Sequence, residues 1–533
     1  METPQAERLG QAITALRPRQ MGALPLVYPI LSDLAVRQTV NDLVPSEADI
    51  DLGRLVVLLT LNRLLAPQPL SRVADWLADT VLPEVLGVAP EQAYDNRFGR
   101  GLDQLHPHLG ELWARLASRA VQVYALDLNV LHWDITSIYF EGAYTDSELA
   151  TYGYSRDQRP DSKQVNLEVD VTHDGYVPVL YQVLPGNTAD ITRPLPHLRA
   201  LLRFLARPEL AERQLRPILV SDCKMITPEA VLACHRHDLF YLGPLADGIA
   251  TEAALRSVSA AELAAQPLGY RPQRVKADDP DFVPYCGVWR PFTFAHDGQP
   301  VTDRVLVIWS AGKARLDAQK RKTALKRLLN GLAAVEKKLN TRRYKQRTYV
   351  EQRLAKLQEG SPAKGLVDIE LRGADGALQL TFHINRRRLA AAQALDGRYP
   401  LATNADHLDA DTTLTLFKGQ DGVEKRFRDV KGPLLVHPLF VRTDRRIEGL
   451  VFITLLALLV RAVLERVCRQ QGLPVTAARA FQGFATLQAV DIIWADGSRQ
   501  RRAATMTAFQ QQVLAALGWP PPDAYAALTP LMR

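Results

Sequence analysis

Leu131-His132-Trp133-Asp134-Ile135-Thr136-Ser137 opens the segment that decides the fold, and that segment runs on to Leu184. It is an apolar, strand-like run that carries an acid. A basic loop follows, Gly153-Tyr154-Ser155-Arg156-Asp157-Gln158-Arg159-Pro160-Asp161, and then a second strand-like run from Gln164 to Val171. Asp174-Gly175 marks a turn into Val177 to Leu184, which ends at Pro185-Gly186-Asn187-Thr188. Strand, basic loop, strand, Asp-Gly turn, strand predicts the start of a hairpin-built sheet. A carboxylate left unpaired on the first, core strand costs roughly several kcal/mol, so Asp134 requires a cation.

Further along, Thr192-Arg193-Pro194-Leu195 predicts a helix with a threonine N-cap, running to Leu205. Arg216 to Asp222 is a short continuous apolar run ending in an acid, as expected of a strand buried on both faces. Pro228 to Arg236 predicts a crossover helix and Leu239 to Leu242 the next parallel strand. Three antiparallel strands followed by strand, helix, strand is the order of a ribonuclease-H-like core, an α/β fold. In that order the first and fourth strands are neighbours, which sets Asp134 beside Asp222.

A third acid stands out on a helix predicted after Phe417. Val423, Phe427 and Val430 share one apolar face there, and Glu424, Arg428 and Lys431 share another. Taken singly, a strand-end aspartate is usually a turn residue, and a helical glutamate is usually solvated. Taken together on one strand order, the three acids repel unless divalent cations neutralise them. Hard oxygen ligands suit Mg²⁺, with Mn²⁺ able to substitute. Two such ions ~4 Å apart can activate a water or a 3′-hydroxyl for in-line displacement at phosphorus. Basic groups beside Glu424 would then hold the phosphodiester backbone.

At 533 residues the chain is long enough for two to four domains. A net charge of +7 favours a polyanion partner, although many unrelated proteins are equally basic. Cys223, Cys234, Cys286 and Cys468 are scattered without a CxxC pair, so neither a zinc site nor a disulfide framework is expected, and the cytoplasm is the default compartment. Met1-Glu2-Thr3-Pro4-Gln5 does not open a signal peptide. Leu450 to Leu464 is strongly apolar, but Arg461 interrupts it and it is shorter than the ~20 residues of a membrane span. A buried helix is expected, and no membrane partner.

Five regions follow. Residues 1–125 are expected to be helical, with Leu55 to Leu65 one helix, Ser71 capping another, and Leu102 to Val121 a third. Arg63, Arg72, Arg97, Arg100 and Arg119 raise DNA-end recognition beside the plainer reading of a packing bundle. Residues 126–243 form the first part of the core, and 244–411 read as an insertion with strand-like pieces at Pro284 to Trp289, Arg304 to Trp309, Leu366 to Leu371 and Leu378 to Ile384. Its stretch from Lys313 to Gln358 has helical spacing and carries fifteen Lys or Arg against three acids. That is the density of a polyanion-facing helix, the alternative being a solvated coiled face. Residues 412–475 return to the core with Glu424, and 476–533 form a mixed tail.

With these motifs in order, the chain resembles bacterial insertion-sequence transposases of the DDE class, in the branch whose last acid lies in a tyrosine-arginine-glutamate-lysine signature. The family's D-x-T-S is matched by Asp134-Ile135-Thr136-Ser137, and its G-Y-S-x-D-x-R-P-D-x-K-Q by Gly153 to Gln164. Its G-N-x-x-D loop is matched by Gly186 to Asp190, its S-D-x-K by Ser221 to Lys224, and its V-E-x-x-F-R-x-x-K by Val423 to Lys431, with R-I-E-x-L following at Arg446 to Leu450. The signature's tyrosine and arginine positions hold Phe417 and Gln420 instead, which removes one DNA contact of the family.

The resemblance, covering most of residues 20–470, implies Mg²⁺-dependent nicking at element ends and strand transfer of the 3′-hydroxyl into target DNA, in a nucleoid-associated bacterial protein. Asp134, Asp222 and Glu424 would be the catalytic metal ligands. Lys431 and Arg428 would contact phosphate, and Tyr154, Arg156, Arg159 and Lys224 would contact DNA. Glu448 is a competing acid on the next helix. The partners implied are double-stranded DNA and a second copy of the chain, since two ends must be joined. Two rivals stand beside this reading: a catalytically silent DNA-binding derivative, and a stand-alone nuclease with the same core.

Overall fold

The structure, a computed structural model, describes residues 13–272, 275–276, 279, 281–434 and 441–531. Met1 to Gln5, where no signal peptide was expected, lies outside them. The chain divides into two units, one of Met1–Met225, Arg236–Phe240 and Lys418–Arg533, the other of Ile226–His235 and Tyr241–Phe417.

The first unit begins with a strand, β1 (Ile13–Gln20), where sequence reasoning expected helix. Helices come next, the longer ones being α1 (Leu24–Asp33), α2 (Val36–Leu43), α3 (Leu52–Leu65), α4 (Asp95–Leu105) and α5 (Leu109–Val123). Asp51 caps α3 by accepting the Arg54 N–H at 2.8 Å, and Arg37 pairs with the same carboxylate at 2.9 Å. The single helix expected over Leu102 to Val121 is two, because Pro107 has no N–H to donate and residues 106–108 tighten into a 3₁₀ turn. Ser71 caps nothing; residues 70–72 are also a 3₁₀ turn, leading into a helix that starts at Val73.

The core strands are β2 (Val130–Tyr139), β3 (Gln164–Thr172), β4 (Pro178–Pro185) and β5 (Ile218–Val220), arranged in the order β4-β3-β2-β5. β2–β3 and β3–β4 pair antiparallel and β2–β5 parallel, so this part of the sheet is mixed. The Asp174-Gly175 turn forms with Gly175 at φ 94°. The helix expected from Thr192 starts at Pro194 as α6 (Pro194–Leu205). The Thr192 hydroxyl donates to the Ala189 carbonyl at 2.7 Å and so is unavailable as a cap. Arg193, at the N-cap of α6, pairs with the buried Glu168 of β3 at 2.8 Å and so ties the helix to the sheet.

In the second unit, α7 (Pro228–Arg236) and β6 (Phe240–Pro244) fall where expected. β7 (Cys286–His296) and β8 (Gln299–Trp309) form a hairpin much longer than the short pieces read from sequence. Its two-residue loop is Asp297-Gly298, at φ 47° and 74°, a type I′ turn that matches strand twist. Next come α8 (Ala311–Glu336), α9 (Arg347–Gln358), β9 (Val367–Arg372), β10 (Gln379–Ile384) and β11 (Arg398–Thr403). β11 was not expected, and it pairs antiparallel with both β6 and β8. The α8–α9 hairpin and the β9–β10 hairpin share a core of their own, built from Leu328, Leu332, Val335, Val350, Leu354, Val367 and Leu380.

The chain then returns to the first unit as α10 (Asp421–Lys431), α11 (Asp444–Gln470), α12 (Ala477–Phe484), β12 (Gln488–Trp494), β13 (Arg499–Ala503) and α13 (Ala508–Leu517). α11 is apolar on every side and is long and apolar enough to cross a membrane by length and composition, yet its apolar window is 94% buried within the protein. It packs against α1, α3, α4, α5 and β4. A helix that is hydrophobic all round belongs in a core. β12 pairs with β1 and β13, and Arg19, Arg499 and Arg501 converge on the buried Asp491.

Arg426 fastens α10. Its guanidinium donates to the Gly175 and Tyr176 carbonyls at 2.8 and 3.0 Å and pairs with Glu465 at 2.8 Å and Asp429 at 3.1 Å. Arg426→Met keeps the stem but strands these acceptors, and is expected to cost about 3 kcal/mol. Thermal and urea unfolding followed by circular dichroism checks this, and a loss below about 1 kcal/mol would contradict it.

Candidate active site

β2 and β5 run parallel with Val130 opposite Ile218, Leu131 opposite Leu219 and His132 opposite Val220. Asp134 and Asp222 each lie two residues past the last of these pairs, His132 and Val220. Asp134 accepts the Ile135 N–H at 2.7 Å, and Asp222, just past the end of β5, accepts the Lys224 N–H at 2.9 Å. Glu424 sits on the exposed side of α10, whose other side packs against β2.

Gln420 joins this helix to that strand. Its Nε2 donates to the Trp133 carbonyl at 2.8 Å and its Oε1 lies 3.0 Å from His132 Nδ1. His132 Nε2 continues to His173 Nδ1 at 2.9 Å. Gly422 permits the close approach of α10, because a Cβ there would stand 2.0 Å from the Tyr176 ring. Gln420 is thus a strap between the strand of Asp134 and the helix of Glu424.

The electrostatics show which acids meet. Burial pushes the Asp134 carboxyl up to about 7, and the negative charges of Asp222 and Glu424 push it the same way. The Ile135 hydrogen bond and the Arg156 charge offset only part of this. Glu448 takes no part. It hydrogen-bonds His106 at 2.8 Å and lines a separate cavity of 560 Å³ with Trp113 and Tyr181.

The basic residues singled out from the sequence are mostly paired already. Arg156 and Lys224 both bind Asp190, and Lys431 holds Asp157 at 2.7 Å. Arg159 pairs with Asp161 at 3.4 Å and covers the Tyr139 ring. Tyr154 is 85% exposed and Arg428 is exposed. Although its burial disfavours charge, Asp190 is held below the usual carboxylate range by Lys224 and Arg156. Asp190 and Asp157 are the residues sequence reasoning passed over, though both lie inside quoted motifs. Two glycines of those motifs bring the loops together. A Cβ on Gly153 would stand 2.0 Å from the Gly186 carbonyl oxygen, and one on Gly186 would stand 2.0 Å from that of Gln164.

For a divalent cation, the donor chemistry fits: hard carboxylate oxygens whose mutual repulsion is only partly compensated. The spacing is open, however. Among the described residues no group of three or more His, Cys, Asp or Glu side chains stands close enough to hold a metal ion.

Residues 16–118 match a family model described as a domain of unknown function, DUF4277. No curated protein matches the chain. Among solved structures it is similar to a piggyBac transposase synaptic complex with hairpin DNA, at 9% identity and TM-score 0.37 over 89% of this chain and 82% of that one. It is also similar to a pre-cleavage Mos1 transpososome, at 17% identity and TM-score 0.16 over 36% of this chain and 59% of that one. A Mos1 mariner paired end complex with Mn gives 14% identity and the same TM-score of 0.16 over 36% and 59%. Likenesses this weak carry no argument here.

The raised Asp134 carboxyl has a consequence for stability. The folded chain holds this proton more tightly than the unfolded chain does, so wild type loses stability as pH rises from about 4 to about 7. Asp134→Asn carries no such penalty. In metal-free buffer the variant is expected to gain on wild type across that window, by about 1–3 kcal/mol, with a plateau above it. Thermal unfolding from pH 4 to 8 checks this, and a difference independent of pH would contradict it.

Proposed function

We propose that this chain is a DNA transposase of the insertion-sequence type, cleaving at element ends and transferring the freed 3′-hydroxyl into target DNA. The observation that carries this reading is the parallel β2–β5 pairing, past whose last pair Asp134 and Asp222 each lie two residues on, with the Gln420 strap tying the helix of Glu424 to the same strand. The order β4-β3-β2-β5, with its two antiparallel pairings and one parallel pairing, supports a ribonuclease-H-like core.

Asp134, Asp222 and Glu424 would hold a divalent cation, Mg²⁺ or Mn²⁺. When bound, such an ion supplies Lewis-acid chemistry at phosphorus. Asp134 must give up its proton to the solvent when the ion binds, so ion binding competes with protonation and strengthens as pH rises. Glu424 remains solvent-exposed on α10 and is free to turn toward the two aspartates. Arg428 and Lys431, at i+4 and i+7 from Glu424, would meet the phosphodiester beside it. For Lys431, phosphate must displace Asp157, and for Arg156 and Lys224 it must displace Asp190. Partly exposed ion pairs are worth only about 0–1 kcal/mol, so a phosphate oxygen can compete for the same N–H groups. The ion pairs thus keep three cations, Lys431, Arg156 and Lys224, in place before DNA arrives. Joining two ends calls for two copies of the chain, and a homodimer on DNA is part of the proposal.

One observation favours the silent DNA-binding reading: the described residues hold no preassembled metal group. Cleavage and joining on DNA carrying the flanks of the gene's own locus, with Mg²⁺, separate the alternatives. Wild type is expected to cut at the ends and join them to target, while Glu424→Gln binds the same DNA and loses both steps by roughly a hundredfold or more. Binding without cutting by wild type would mean the silent protein, and cutting without joining the nuclease. An active Glu424→Gln would remove Glu424 from the site.

A further inference from the structure

α8 carries far more positive charge than its packing uses. Its apolar residues Leu328, Leu332 and Val335 are spent on the shared core with α9, β9 and β10. Lys313 is neutralised by Asp317 at 2.8 Å, and Arg321 by Asp396. The remaining cations are exposed, and they are ordered. Arg315, Lys322 and Lys326, extended by the C-cap Lys337, are spaced by seven, four and eleven residues, the repeats that return to one helix face. Lys320 and Arg327, seven apart, form a second row about 100° around the helix. Between the rows lies an exposed strip of Gly312, Leu316, Gln319, Thr323, Asn330 and Ala334, without a charge. Glu336 is the one exposed acid of the helix.

Two cation rows flanking a narrow uncharged strip describe a helix built to lie between two lines of negative charge. The rows stand roughly 10 Å apart across the helix, close to the ~12 Å width of the B-DNA major groove. The longer row extends about 33 Å, so only part of it can follow the curving groove at once. An A-form RNA duplex has a major groove too narrow for a helix. A membrane surface would need an apolar face, and that face is already buried. We infer that α8 lies in the major groove of duplex DNA and grips the two bordering phosphate backbones without reading base sequence. The contact deepens the DNA reading above by naming a second, sequence-independent site, yet it uses none of the three acids, so the two can fail separately.

Sequence-independent phosphate contact has a measurable signature in salt. A straight helix leaves a curving groove, so about two to four of these cations engage at once, and each contributes about 0.9 to the slope of log affinity against log salt. The test measures full-length protein binding to a duplex of arbitrary sequence by fluorescence anisotropy at several salt concentrations. The variant combines Arg315→Gln, Lys322→Gln, Lys326→Gln and Lys337→Gln, all exposed positions, with circular dichroism confirming the fold. The control removes equal charge from four exposed arginines of the first unit, Arg199, Arg203, Arg213 and Arg216.

The α8 variant is expected to bind roughly tenfold or more weakly, with a salt slope lower by about 2 to 4, while the control stays near wild type. Unchanged binding by the α8 variant overturns the inference. An equal loss in the control also overturns it, since net charge alone would then explain binding. Tighter binding of wild type to an RNA duplex than to DNA would overturn the choice of occupant.

Discussion

A carboxylate on a core strand, facing a second carboxylate across a parallel pairing, is the constraint around which the first unit is arranged. Asp134 and Asp222 each lie two residues past the last β2–β5 pair, and that pairing is held by buried strands. Partial burial of Asp134, with repulsion from Asp222 added to it, raises its carboxyl to about 7. Relief has to come from outside the pair. Arg156 supplies some, but its guanidinium is shared with Asp190. What remains is an appetite for positive charge at one end of the sheet.

The third acid is delivered by a helix that has been fastened with unusual care. Arg426 anchors α10 to the β3–β4 turn and to α11, Gly422 lets it close on Tyr176, and Gln420 ties its start to β2. Glu424 stays on the solvent side of this fastened helix. An exposed side chain on a firmly held helix has room to turn toward a ligand. The exposed glutamate and the lack of a closed three-ligand group among the described residues are two sides of that arrangement.

Much of this was legible in the residues. The β2–β5 pairing and the place of Asp222 just past β5 could be anticipated because strand order and an acid at a strand end are local signals. The phase of Val423, Phe427 and Val430 put Glu424 on the outer face of its helix. What could not be read were partners far apart in sequence. β1 pairs with β12 across nearly the whole chain, and Lys431 meets Asp157 across 274 residues. Gln420 looked like a lost contact because its hydrogen bond to Trp133 spans 287 residues. Thr192 failed as a cap for a local reason, a competing carbonyl three residues back. The long β7–β8 hairpin was signalled by Asp297-Gly298, a turn pair visible in the sequence.

The central claim is that Asp134 and Asp222 act as one metal-binding pair completed by Glu424. Titrating Mn²⁺ into the metal-free chain and counting free ion by electron paramagnetic resonance tests it most directly. The account predicts saturable binding in wild type, lost in Asp134→Asn and Asp222→Asn, weakened in Glu424→Gln and unchanged in Glu448→Gln. Binding that survives the loss of Asp134, or no saturable binding in wild type at pH 8, would contradict it.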